Sequence, residues 1–128
     1  MQPHRFSLST VPGVYAVCRL DPASPVPSWA TQDGFMAIVR TAEELSIVCA
    51  EQAVPLGVTC QRGWRGLKVA GPLDFALTGV LASLAGPLAE AGVSIFAIST
   101  YDTDYLFVRE EQLGMAIDAL RRAGFAIA

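Results

Sequence analysis

The spacing of apolar and polar positions changes character midway along the chain. FSLSTVPGVYAVCRL (6–20) reads as two β-rich segments about the turn-forming pair Pro12-Gly13. DPASPVPSWATQDG (21–34) holds three prolines and predicts a loop, with Ser28 capping a single helical turn that ends at Gly34. FMAIVR (35–40) predicts a short buried strand and LSIVCA (45–50) another. Between them TAEE places Thr41 and Glu44 in capping-box spacing, enough for one turn. EQAVPLG is a loop, and VTCQRGWRGLKVAG (58–71) supplies two strands about Gly63.

The second half is more regular. After Asp74, Leu77, Leu81, Leu84 and Leu88 recur at helical spacing, with Pro87 inside the pattern and Gly92 as its stop. VSIFAIST (93–100) is apolar and β-branched, YDTD (101–104) is turn chemistry, and YLFV (105–108) returns as a strand. REEQLGMAIDALRRAGF (109–125) is an amphipathic helix with acids early and Arg121-Arg122 late, as the helix dipole prefers. FAIA closes the chain as a last strand. Residues 64–128 thus spell strand, helix, strand, strand, helix, strand, the split βαβ order of the ferredoxin-like α+β fold. Residues 1–63 read as a strand-rich, helix-poor and degenerate version of that unit, and 64–128 as the complete one.

Composition narrows the function. The chain has 128 residues, 52% of them hydrophobic and only 16% charged, with a mean hydropathy of +0.42. So short a chain has much surface for its volume, which predicts an apolar patch closed by a second copy in a two-fold homodimer. A net charge of −3 and a pI near 5.0 argue against nucleic acid, and the basic run Arg62 to Lys68 reads as a solvated strand edge. Cys18, Cys49 and Cys60 form no CxxC pair, so neither zinc nor a disulfide framework is indicated. They read as small buried hydrophobes in a reducing cytoplasm. MQPHRFSLST lacks the apolar core of a signal peptide. Between Phe75 and Ser99 only Glu90 is ionisable, but Gly79, Gly86, Pro87 and Gly92 divide the run, which argues against a membrane span.

Topology then places the polar residues. In a split βαβ unit the helix start near Thr78-Gly79-Val80 lies at the same sheet end as the STYDTD turn. A helix start offers free N–H groups and a positive dipole end to an anion, and Gly79 leaves its backbone approachable. Asp102 or Asp104 offers the opposite charge to an ammonium or guanidinium group. A zwitterionic amino acid suits both halves. Each residue also has a plainer role: Gly79 in tight helix–sheet packing, Asp102 or Asp104 in forming the turn.

Catalysis finds less support. Asp102-Thr103-Asp104 resembles the DxD nucleophile motif of haloacid-dehalogenase-type phosphatases, yet that chemistry also needs a lysine and further downstream acids. His4 is the only histidine, and neither GxGxxG nor a Walker loop is present. No enzyme activity and no cofactor are expected.

GVLASLAGPLAEAGVSIFAIST resembles the helix-to-strand signature of ACT domains, small amino-acid-sensing modules of the ferredoxin-like fold. The longer string from Gly71 to Val108, with TAEELSIVCAE upstream, is closer still to a bacterial group of short tandem ACT proteins that the CASTOR-type arginine sensors also resemble. The resemblance implies an amino-acid-binding or regulatory protein with its ligand at an ACT–ACT interface. It implies contacts at Ser46 and Ile47, at Gly79 and Val80, and at Thr100, Tyr101 and Asp104, with Asp104 rather than Asp102 reading the positive group. Arginine is the ligand it suggests, and a regulated protein the partner. The chain has about two ACT units where those sensors have four. The competing reading is a ligand-free interaction module acting through ACT pairing.

Overall fold

The computed structural model describes residues 6–32, 34–71, 73 and 79–128, which fall into two compact units. The first takes in the chain up to Pro12 and from Arg65 onward, and the second runs from Gly13 to Trp64. His4, Asp74, Leu77 and Thr78, all named in reading the sequence, lie outside the described residues.

In the first unit the chain follows β4 (Cys60–Val69, entering at Arg65), α1 (Val80–Glu90), β5 (Ile95–Ser99), β6 (Asp104–Arg109), α2 (Leu113–Arg122) and β7 (Ala126–Ile127). This is the predicted βαββαβ order. The opening residues of β1 (Ser7–Leu20) join the same sheet, giving the strand order β7-β1-β4-β6-β5. β1 lies parallel to β7, with Ser7 beside Ala126 and Leu8 beside Ile127. A strand from far back in the chain thus separates β4 from β7, a placement that the pattern of 64–128 alone could not reveal.

Helical spacing decides what packs here. α1 buries Val80, Leu84 and Leu88, and α2 buries Ala116, Ala119 and Leu120. They share a core with Leu67 and Val69 of β4 and Leu106 and Val108 of β6, alternate residues that face one side of their strands. Each fully buried leucine contributes about 1.5–3 kcal/mol. Both helices end alike. Val93 N–H donates to the Leu88 carbonyl at 2.9 Å and Phe125 N–H to that of Leu120 at 3.0 Å, past Gly92 and Gly124. The residue after each glycine, Val93 or Phe125, is then buried in the core, as in a Schellman ending.

The second unit holds the rest of β1, β2 (Ala37–Arg40), β3 (Leu45–Ala50) and the start of β4. β3 pairs antiparallel with β1, from Tyr15 opposite Ala50 to Leu20 opposite Leu45, and with β2 on its other side. Its core is Ala16, Cys18, Ala30, Leu45, Ile47, Cys49 and Val54, with 3-10 turns at Ser28–Thr31 and Glu51–Ala53. Burial pushes the Cys18 thiol up to about 12, helped by neighbouring Cys49 and Cys60, and burial raises Cys49 as well. All three thiols are free.

Several local expectations need correcting. Pro12-Gly13 does not turn the chain: β1 is one strand, in which Gly13 takes φ +98°. Residues 60–69 are likewise one strand, with Gly63 at φ +82° and its N–H donating to Glu51 Oε1 at 2.7 Å. A glycine within a strand marks a local irregularity as readily as a turn. FMAIVR is not buried: β2 ends the strand order, and Ile38 and Val39 are 37% and 57% exposed. Thr41 Oγ1 does accept from the N–H groups of Glu43 and Glu44, at 3.1 and 3.2 Å, but it shapes a hairpin turn between β2 and β3 rather than a helix.

Candidate functional site

The β5–β6 hairpin and the start of α1 converge on a cavity of about 660 Å³. Residues 99–104 line one part, residues 79–82 another, and Leu73 a third.

On the hairpin side, the ladder ends at Ser99 opposite Asp104. The loop beyond it is closed by Thr100 N–H donating to the Thr103 carbonyl at 2.8 Å and Thr103 N–H donating to Thr100 Oγ1 at 3.2 Å. The two acids occupy different surroundings. Asp102 is exposed at the tip, and its carbonyl receives the Leu73 N–H at 2.6 Å. Asp104 is half-buried, and its Oδ1 accepts a hydrogen bond from the Ser99 hydroxyl at 2.6 Å, a length typical of a hydroxyl meeting a carboxylate. Both line the cavity, but only Asp104 has its carboxylate engaged with Ser99.

On the helix side, Gly79 precedes α1 with φ +78°, and its carbonyl takes the Ser83 N–H at 2.9 Å. A Cβ at Gly79 would meet none of the described residues within 4 Å. Tight packing is therefore not what calls for glycine there; the left-handed backbone is. No side chain caps α1 among the described residues, so the N–H groups of its first turn have no intrahelical acceptor, at the positive end of the helix dipole. The positive end of the α1 dipole and the Asp104 carboxylate thus both border this cavity.

Of the residues the sequence singled out, Gly79, Val80, Thr100, Tyr101 and Asp104 line this cavity together. Val80 is buried and Tyr101 is 84% exposed. Ser46 and Ile47 are not among the lining residues. They lie on β3 of the other unit, which is hydrogen-bonded by β1 on one side and β2 on the other, and Ile47 is wholly buried. Ser99 and Thr103 line the cavity as part of the STYDTD turn placed there from the sequence, whereas Leu73, Leu81 and Ala82 were not singled out. Ser99 faces Asp104 across the ladder. No group of three His, Cys, Asp or Glu among the described residues could hold a metal ion. No described helix is long and apolar enough to cross a membrane.

A family model for the ACT domain matches residues 59–122, and a second model, of an N-terminal domain, matches residues 13–57. The human cytosolic arginine sensor for mTORC1 subunit 1 is 35% identical over 109 residues, which are 78% of this chain and 32% of that protein. The mouse counterpart is 34% identical over 101 residues, 77% of this chain and 29% of that protein. The chain thus spans about a third of the length of these curated relatives. Among solved structures, a protein of Agobacterium tumefaciens superposes with TM-score 0.93 at 38% identity, over 98% of this chain and 94% of that one. An aspartate kinase from Clostridium acetobutylicum shares the fold, with TM-score 0.72 at 11% identity over 96% of this chain and 35% of that one.

Proposed function

The chain belongs to the ACT-domain family, and on that premise we propose that it is a non-catalytic amino-acid-binding sensor or regulatory protein, with its ligand held where ACT units pair. One observation carries the reading. The start of α1, which no described side chain caps, and the Asp104 carboxylate suit the two charges of an amino acid and line a single cavity. Gly79, Val80, Thr100, Tyr101 and Asp104 are its proposed contacts. Ser46 and Ile47 are assigned by resemblance alone, and a contact at Ile47 would involve its backbone. Arginine is the first ligand to test, because the curated relatives are named for sensing it. We take the protein to act in the cytoplasm as a homodimer that reports ligand occupancy to a protein partner.

A thermal-shift screen of the twenty amino acids tests this. A ligand selective for the native state raises its stability by about 2.7 kcal/mol at a hundred times its Kd. No shift with any amino acid at millimolar concentration sinks the proposal. Where one binds, Asp104→Asn weakens it by about 1.5–3 kcal/mol, the scale of a hydrogen bond to a charged group, and Asp102→Asn by less. Unchanged affinity in Asp104→Asn removes that residue from the site. The exposed apolar edge at Met36, Ile38 and Val39 favours the second reading, a module that binds protein alone.

A further inference from the structure

We propose that Thr103 is a positioning residue: it holds the Asp104 carboxylate in register with the start of α1, and so sets which amino acids the cavity accepts. The inference rests on the amino-acid-binding reading above. Thr103 is 5% exposed, the one buried polar side chain among the described residues. Its Oγ1 donates to the carbonyl of Val69, the last residue of β4, at 2.7 Å. Its own N–H and carbonyl are both bonded to Thr100, so the hydroxyl ties the whole closed loop to β4.

Two neighbours show that this tie is a built clamp. The carbonyl of Asp102 receives the Leu73 N–H at 2.6 Å, fastening the loop to the segment that precedes α1 in the chain. Between Val69 and Leu73 stands Gly71. A Cβ there would lie 3.1 Å from both the Asp102 oxygen and Thr103 Cβ, tighter than ordinary contact, so glycine is what lets the loop come this near. β6 begins at Asp104, so the peptide that Thr103 anchors is the one that carries the acid. A site that reads charge at two ends needs its groups held within about 0.5 Å. Without the hydroxyl, the Val69 carbonyl loses its donor and the acid-bearing end of the hairpin loses its fixed distance from the helix start.

The test compares the full chain with Thr103→Val, Thr103→Ser and Gly71→Ala, titrated calorimetrically below their melting temperatures with L-arginine, L-lysine, L-ornithine and any other amino acid that shifts the wild type. Thr103→Val lowers the affinity of the best ligand by about tenfold or more, where tenfold is ~1.4 kcal/mol. It also changes the ranking among amino acids of different length. Thr103→Ser keeps the hydroxyl and restores both, whereas Gly71→Ala shifts the ranking as Thr103→Val does. Wild type that binds no amino acid overturns the binding reading and this inference with it. Wild type that binds, with Thr103→Val unchanged or weakened equally toward every ligand, overturns the positioning role alone. Should Thr103→Val fail to fold, the ranking in Gly71→Ala decides in the same way.

Discussion

The two units meet the backbone's demand for hydrogen bonds by different means. The first does so with helices and the paired endings at Gly92 and Gly124. The second has no α-helix among its described residues, and long side chains fasten its loops instead. Arg19 reaches the Glu43 carbonyl at 3.0 Å, Arg40 that of Pro22, and Arg62 those of Glu51 and Val54 at 3.1 and 3.3 Å. Cationic groups used as staples are unavailable to a ligand. The helical unit adds only a few such staples, as where Arg121 donates to the Ile127 carbonyl at 3.0 Å, and among the described residues no side chain caps the start of α1. The difference teaches where the cavity arises: on the unit whose backbone is served by regular structure.

Three changes would break or sharpen that contrast. The largest acts on the helical cover. Leu84→Ala deletes a wholly buried side chain from α1 and costs about 2–5 kcal/mol in denaturant unfolding. A loss below about 1 kcal/mol would mean that α1 does not hold the first unit together.

The next is an effect of pH confined to the second unit. Cys18 is raised from 9.0 to about 12, mainly by burial, so the native state keeps its proton where the unfolded chain gives it up. The stability this confers is fully present below pH 9 and is lost as pH climbs toward 12. Melting temperatures of wild type and Cys18→Ala between those limits read it out, because lysines and tyrosines titrate alike in both. Parallel curves would refute the burial argument.

The smallest is Gly79→Ala. No described residue crowds that position, so backbone strain sets the expected cost, about 1–2 kcal/mol. A cost well above that range, measured by the same unfolding experiment, would point to crowding at the helix start.

Much of the first unit was legible because its signals are local. Leucines at spacings of three and four specify α1, and YDTD between two apolar runs specifies the hairpin. LSIVCA gave its strand to the residue. The failures share a cause, in that the deciding partner is distant in sequence. Gly13 and Gly63 looked like turns because a lone glycine carries no record of whether the strand continues past it. FMAIVR looked buried because an apolar run does not disclose that no described strand pairs on its far side. Thr103 looked like one more polar turn residue. Its importance lies in the Val69 carbonyl, 34 positions earlier, and composition holds no trace of that. The distinction between Asp102 and Asp104 as ligand contacts came from resemblance; the structure pairs Ser99 with Asp104 on the ladder and leaves Asp102 exposed at the tip.

The parallel pairing of β1 with β7 has a consequence for the order of events during synthesis. Residues 13–64 contain every partner that β2 and β3 require, so that segment can finish its ladders while the remainder of the chain is still being made. Ser7 and Leu8 cannot. Their neighbours on one side are Ala126 and Ile127, and until those are released Leu8 lacks part of its covering. The cavity-bearing unit is therefore the later of the two, and its apolar edge at Leu8 stays open until Ala126 and Ile127 have been made.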